Sequence, residues 1–221
     1  MLISEKFNNQ IDNLEKALQK GLPGNIAHLR MAPAHRNNLL TLSNGPEFAR
    51  KSSVLILLSP DDNGDACTTF IRRVEYDGVH SGQTAFPGGK YEDIDISLVE
   101  TALREAEEEV GLKRESVSII GQLSDLFVPP SNFIISPVLA KCPFRPDFKP
   151  DGYEAAEVFT VPLKHFLNPE FTGEYDIPYR NGQTIRVPGY YYKNHLIWGA
   201  TAMILNELLQ LMADAGLIKE D

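Results

Sequence analysis

Five glutamates, Glu100, Glu105, Glu107, Glu108 and Glu109, crowd one short stretch of the chain, and Arg104 is the one cation among them. Like charges three or four residues apart on a helix repel by about 0.2–0.5 kcal/mol per pair, so the run asks for a compensating cation. At about 100° per residue, Leu98, Val99, Ala102, Leu103, Ala106 and Val110 share a sector and predict a core face. Glu100, Arg104 and Glu107 fall roughly opposite, on the side expected to meet solvent, with Glu100 and Arg104 in the favourable i,i+4 order. Glu105, Glu108 and Glu109 occupy a third sector, at the edge of the apolar stripe. Their i, i+3, i+4 spacing brings three carboxylates within reach of one point. A carboxylate at a core boundary is costly unless paired or bound to a cation. Ligands that are all carboxylate oxygen suit a hard ion, Mg²⁺ or Mn²⁺. The competing reading is a solvated acidic face, the commoner origin of such runs.

Several elements must position these residues. Ser97 and Glu100 form an S-x-x-E capping box that starts the helix at Ser97, and Gly111 stops it. A glycine-rich loop, "HSGQTAFPGGK", leads into it. Upstream, "SSVLILLSP" and "ACTTFIRRV" read as strands joined by the hairpin signal "DDNGD". Downstream, "VSIIGQL", "FIISPVLAKC" and "EVFTVPL" read as further strands, and "TIRVPGYYYKN" as a short strand pair. Residues 3–20 have a helical rhythm in Phe7, Ile11, Leu14 and Leu18, and "WGATAMILNELLQLMADAG" closes the chain as an amphipathic helix. The pattern predicts a mixed α/β fold, a mixed central sheet sandwiched between helices. One domain is expected over residues 1–221: an N-terminal helical extension (1–35), a catalytic core (50–165) and a C-terminal helix (195–216).

Composition narrows the function. A chain of 221 residues with 43% hydrophobic content suits a single domain with an ordinary core. A net charge of −9 argues against a duplex nucleic-acid binder, yet leaves room for a small anionic substrate beside a metal or a local basic patch. Cys67 and Cys142 stand far apart without metal-site spacing, so reduced intracellular thiols are expected. The amino terminus lacks an apolar h-region, and strings such as "VLILL" are too short to cross a bilayer. A soluble cytoplasmic protein with no membrane partner is expected.

"REAEEEVGL", Arg104 to Leu112, resembles the core of the Nudix signature, R-E-U-x-E-E-x-G-U, at every fixed position. The resemblance implies a Nudix-type α/β/α sandwich and metal-dependent hydrolysis of a diphosphate with Mg²⁺ or Mn²⁺. It implies Glu105, Glu108 and Glu109 as metal ligands, Arg104 as the arginine that orients them, and the Gly89 carbonyl as a further ligand. The upstream acid of the general signature falls on Ile96, with Asp95 the nearest carboxylate, because the span from Gly89 to Arg104 is one residue longer. That longer span, with "FIRRVEYDGVHSGQTAFPGGK" carrying Arg73, Gly82 and Phe86-Pro87-Gly88-Gly89, resembles the coenzyme A diphosphatase branch. A second arginine of that branch's motif falls on Gly78. "LPGNIAHLRMAPAHR", "PPSNFIISPVLA" and "IWGATAMIL" extend the resemblance over most of the chain.

The branch implies cleavage of coenzyme A or its thioesters to 3′,5′-ADP and (acyl-)4′-phosphopantetheine, in a homodimer. Glu108 or Glu109 can serve as the general base, or a loop glutamate: Glu154 by position, with Glu157 second. Arg72, Arg73 and Lys90, and more distantly Arg36, are candidates for the substrate phosphates, and His80 for a further contact; each also reads as an ordinary surface or loop residue. His35 and His195 lack ligand spacing. Tyr190, Tyr191, Tyr192 and Trp198 suit either adenine stacking or packing in strand and core. Two alternatives remain. One is hydrolysis of another nucleoside diphosphate derivative, such as ADP-ribose or NADH, which Gly78 favours. The other is a nucleotide-sensing protein without turnover, against which all three signature glutamates count.

Overall fold

The computed structural model describes residues 3–34, 47–75, 81–178 and 182–217. Arg36 and His80, with His35 and Gly78, lie outside the described residues. Two helices come first, α1 (Ile3–Lys20) and α2 (Asn25–Arg30). Four strands follow: β1 (Arg50–Pro60), β2 (Ala66–Arg73), β3 (Thr84–Ala85) and β4 (Gly88–Lys90). Helix α3 (Leu98–Val110) separates these from β5 (Ser118–Gln122), β6 (Leu126–Val128), β7 (Phe133–Lys141) and β8 (Ala155–Pro162). The chain then forms β9 (Thr172–Pro178), β10 (Thr184–Tyr192), β11 (His195–Trp198) and α4 (Gly199–Asp214).

Strand β1 organises the main sheet because its side chains are apolar on both faces. Leu55 and Leu57 pack toward α3 with Ile71, Ala102, Ala106 and Val138. Ile56 and Leu58 pack the other way, with Phe70, Phe86, Leu139 and the inner faces of α1 and α4. The period of two in β1 thus builds two cores, one on each side of the sheet. This is an α/β/α sandwich. The path through the eight-stranded sheet is β3-β2-β1-β7-β5, with β4 on β1, β6 on β7 and β8 on β2. It is mixed as expected: β1 and β7 run parallel, and β1 and β2 form the antiparallel hairpin read from "DDNGD".

Three features depart from the sequence reading. "TIRVPGYYYKN" is one strand and its turn, and its antiparallel partner is β11, reached through Lys193 at φ 52°. Residues 195–198 are therefore strand, and the last helix starts at Gly199 instead of 195. Strand β9, with its polar, Pro-ended sequence, completes a separate three-stranded sheet with β10 and β11.

Helix α3 has the predicted ends. The Ser97 side chain accepts from the Glu100 N–H at 3.2 Å, and Gly111 adopts the left-handed conformation at φ 68°. Its charged faces differ from the wheel. Glu100 and Glu107 both pair with Arg114, at 3.0 and 2.7 Å. Arg104 is buried instead of solvated, because the loop between Lys90 and Asp95 folds over it.

Candidate active site

The site begins where β4 lies against β1. Gly88 pairs with Val54 and Gly89 with Ser53. Gly88 has φ 152°, and a Cβ there would overlap the Ser53 carbonyl; a Cβ on Gly89 would overlap the Glu105 carboxylate. Two glycines let the backbone approach the acids of α3 this closely.

Glu109 is 1% exposed. Its Oε2 accepts from the Gly88 N–H at 2.8 Å, while its Oε1 is buried and has no hydrogen-bond partner. Arg73 stands 4.0 Å from that oxygen and donates to the Gly88 carbonyl at 3.2 Å. Burial pushes the Glu109 carboxyl up to about 8, against the pull of Arg73 and the Gly88 N–H. Burial also raises Glu105, partly offset by Arg104, whose Nη1 lies 3.0 Å from Glu105 Oε1.

Arg104 is the hub behind these acids. It binds Asp95 through two hydrogen bonds of 2.9 and 3.0 Å, donates to the Lys90 carbonyl at 3.1 Å, and reaches Glu108 at 3.0 Å. Asp95 is itself buried and also accepts from Thr101 Oγ1 and the Glu92 N–H. The Arg104 guanidinium holds the Asp95 carboxyl well below the usual carboxylate range, and Asp95 raises Arg104 in turn. The nearest carboxylate to the displaced Ile96 position is thus the one that meets Arg104, while Ile96 itself is exposed.

Glu154 comes from the loop immediately before β8. The Asp151 carboxylate accepts from the Glu154 and Ala155 N–H groups at 3.1 and 2.8 Å and shapes the loop. A register shift in the β2–β8 ladder, between Arg72 (opposite Glu157) and Arg73 (opposite Ala155), marks a bulge beside this loop. One carboxylate oxygen each from Glu105, Glu109 and Glu154 lies within 4.8 Å of the other two.

The remaining candidates divide. Lys90 and Arg73 line the same cleft as Glu105 and Glu154, a cavity of about 850 Å³. Glu108 stays on Arg104 with its side chain 59% exposed, outside the three-carboxylate cluster. Arg72 and Glu157 pair at 3.5 Å, with His195 3.4 Å from Glu157, beside a second cavity away from the acids. Tyr190 is core, its hydroxyl donating to Asn206 at 2.7 Å, whereas Trp198 lines the cleft. Ile185 of β10 also lines it and was not singled out in the sequence. It lies where β10 pairs with β9, opposite Ile177, and that pairing has no local signature.

A buried carboxylate oxygen without a donor, beside two further carboxylates, is a cation's donor set. The residues fit a hard divalent ion. Such a site at a helix–sheet edge of an α/β/α sandwich is one that could hold a divalent ion for hydrolytic chemistry. Residues 49–180, more than half of the chain, match the family model of the NUDIX domain, and the chain belongs to that family. It is a Nudix hydrolase; enzymes of this family generally use divalent metals.

The "Uncharacterized Nudix hydrolase NudL" of Photorhabdus laumondii is 40% identical over 131 residues, 59% of this chain and 69% of that protein. A protein of the same name from Yersinia enterocolitica is 40% identical over 139 residues, 63% and 70% of the two chains. In fold, the Nudix hydrolase RenU of M. smegmatis aligns with TM-score 0.52 over 76% of this chain and 86% of its own, at 15% identity. No helix among the described residues is long and apolar enough to cross a membrane.

Proposed function

We propose that the protein hydrolyses the diphosphate of coenzyme A or its thioesters, with Mg²⁺ or Mn²⁺, to 3′,5′-ADP and (acyl-)4′-phosphopantetheine. The observation that carries the metal-dependent reading is the buried, donorless Oε1 of Glu109 inside a cluster of three carboxylates. The coenzyme A reading rests on "FPGGK" and Arg73, which resemble that branch and meet at this cluster.

Glu105 and Glu109 would be the inner ligands, Glu108 would complete the signature trio from beside Arg104, and Gly89 would offer its carbonyl. A divalent ion held there would neutralise diphosphate charge and make the attacking water more acidic. Arg104, clamped by Asp95, fixes the rotamer of Glu105. Arg73 and Lys90 supply positive charge for the phosphate oxygens, Arg73 as a planar donor already oriented by the Gly88 carbonyl. Glu154, exposed at the mouth of the cleft, accepts the proton of the attacking water.

The test is incubation with Mg²⁺ or Mn²⁺ and a panel of coenzyme A, acyl-coenzyme A, ADP-ribose and NADH, with products separated by chromatography. Preferred release of 3′,5′-ADP is expected. Preferred AMP from ADP-ribose would move the assignment to another nucleoside diphosphate derivative, and binding without products would move it to a sensor.

A further inference from the structure

A second concavity lies at the outer edge of β8, away from the acid cluster. Glu157, Val158, Phe159 and Thr160 line it in succession. Side chains alternate faces along a strand, so consecutive residues around one cavity place it along the strand's edge and not over one face. Strand β8 pairs with β2 alone among the described strands, which leaves the backbone groups of this edge without ladder partners. The segment 145–148 and the β10–β11 turn wall the groove, which holds about 440 Å³, the scale of a small-ligand site. None of the described residues that line it also lines the catalytic cleft.

The floor of the groove is aromatic. His195, 5% exposed, lies against Phe159 with ring centroids 4.0 Å apart, and the Tyr192 ring is within 10° of parallel to Phe159. The rim is charged. Arg145 and Lys193 are exposed, neither forms an ion pair with a described residue, and Lys193 rests over the Tyr192 ring at 5.2 Å. Two acids also line the cavity. Glu157 is answered by Arg72 at 3.5 Å, whereas Asp147 has no cation partner among the described residues. A bare metal ion would meet two cations here, and an apolar chain would strip water from charged side chains. A phosphate suits the two unpaired cations. A carboxylate without a counterion suits hydroxyl donors, such as the paired hydroxyls of a ribose. Half-buried rings give a planar base a face to stack on.

We propose that this groove is a second ligand site and binds a nucleoside monophosphate, with the base against Tyr192, the phosphate on Arg145 and Lys193, and the ribose hydroxyls on Asp147. It is separate from the catalytic cleft and stands whether or not the diphosphatase reading holds.

The intact protein in EDTA is titrated by calorimetry with AMP, adenosine and inorganic phosphate. Expected is saturable AMP binding that persists in Arg73→Ala, a change confined to the catalytic cleft. Arg145→Gln combined with Lys193→Gln keeps side-chain length, removes both charges, and should weaken AMP about tenfold or more. Adenosine and inorganic phosphate, each lacking part of the contacts, should also bind at least about tenfold more weakly than AMP. Magnetisation transfer in the unaltered protein, from the Tyr192 ring protons to H2 and H8 of AMP, locates the base directly and serves if the paired variant does not fold. The inference is overturned if AMP does not bind, if its affinity survives the paired substitution, or if adenosine binds as tightly. Loss of AMP binding in Arg73→Ala, or transfer from Trp198 instead of Tyr192, would place the nucleotide in the catalytic cleft and overturn it as well.

Discussion

Glu109 on α3 and Glu207 on α4 are both buried glutamates, at 1% and 0% exposure, and they are finished in opposite ways. Glu207 is surrounded by donors: the Gly24 N–H at 3.0 Å, the Ser124 N–H at 3.2 Å, the Ser124 hydroxyl at 2.6 Å, and His28 Nε2 at 2.8 Å. It ties α2, the β5–β6 connection and α4 into one knot. Glu109 has the Gly88 N–H on one oxygen and no hydrogen-bond donor on the other, which has only Arg73 at 4.0 Å. Buried polar groups are nearly always satisfied, so a carboxylate left half-bonded marks a place where a ligand completes the set. Completion of the bonding, more than burial, separates the acid that holds the fold from the acid that does chemistry.

The largest effect is expected where the bonding is complete. Glu207→Ala strands three half-buried donors and the fully buried His28, and should lower unfolding free energy by about 3–5 kcal/mol in denaturant titration. A loss below about 1 kcal/mol would mean that the knot is not structural. Glu109→Gln should do the reverse. It keeps a neutral acceptor for Gly88 where burial already holds the carboxyl protonated up to about pH 8, so metal-free thermal stability should hold near neutrality and rise above that pH. Turnover should fall about a hundred- to thousandfold. Glu154→Gln should follow at about a hundredfold in kcat. Near-normal turnover in Glu109→Gln would take that residue out of the ligand set.

The comparison sharpens with pH. The folded Glu109 carboxyl is raised to about 8 from the ordinary 4.5, so between these values the folded chain holds a proton that the unfolded chain has released. Metal-free stability should therefore decline as pH rises through that window, by up to about 1.4 kcal/mol per pH unit, with the loss complete above about 8. Glu105, raised by burial as well, adds to the same trend. Asp95 is held low by Arg104 and titrates below this window, so it does not confuse the reading. Thermal melts in EDTA from pH 5 to 8.5 should show the decline in the native chain and a shallower one in Glu109→Gln. Adding Mn²⁺ should offset it, since a metal binds the deprotonated acids. A flat native profile would contradict the burial of an unsatisfied carboxyl.

What could be read from the chain follows the same division. The two caps of α3, its apolar stripe and the convergence of Glu105 and Glu109 are local consequences of 3.6 residues per turn, and they were legible. Arg104 was misplaced to solvent because its partner, Asp95, sits on a loop that folds back over the helix. Glu108 has the spacing to converge with the other two, but Arg104, one turn earlier, engages it instead. Strands β9 and β11 were missed because each is short or polar and gains its order only by pairing with β10. Glu207 stands in an apolar helix with its partners far away in sequence, and no spacing rule reaches that distance.

The smallest effect is expected at Glu157, and it tests the same contrast among exposed acids. Glu157 and Glu154 are three residues apart at the start of β8, and the bulge there sends them to different places. Glu157 already has its partners, the Arg72 guanidinium as counterion and the His195 ring 3.4 Å away, with its side chain 44% exposed. An exposed ion pair contributes about 0–1 kcal/mol, so Glu157→Gln should change stability by no more than that and turnover by less than about fivefold. Glu154 instead converges on two acids of its own sign, an arrangement that only a cation or a transferred proton makes favourable. Kinetics of the two variants side by side decide the matter. If Glu157→Gln is the damaging change, the proton acceptor lies on the paired acid, and an open carboxylate no longer distinguishes the working residue from its neighbour.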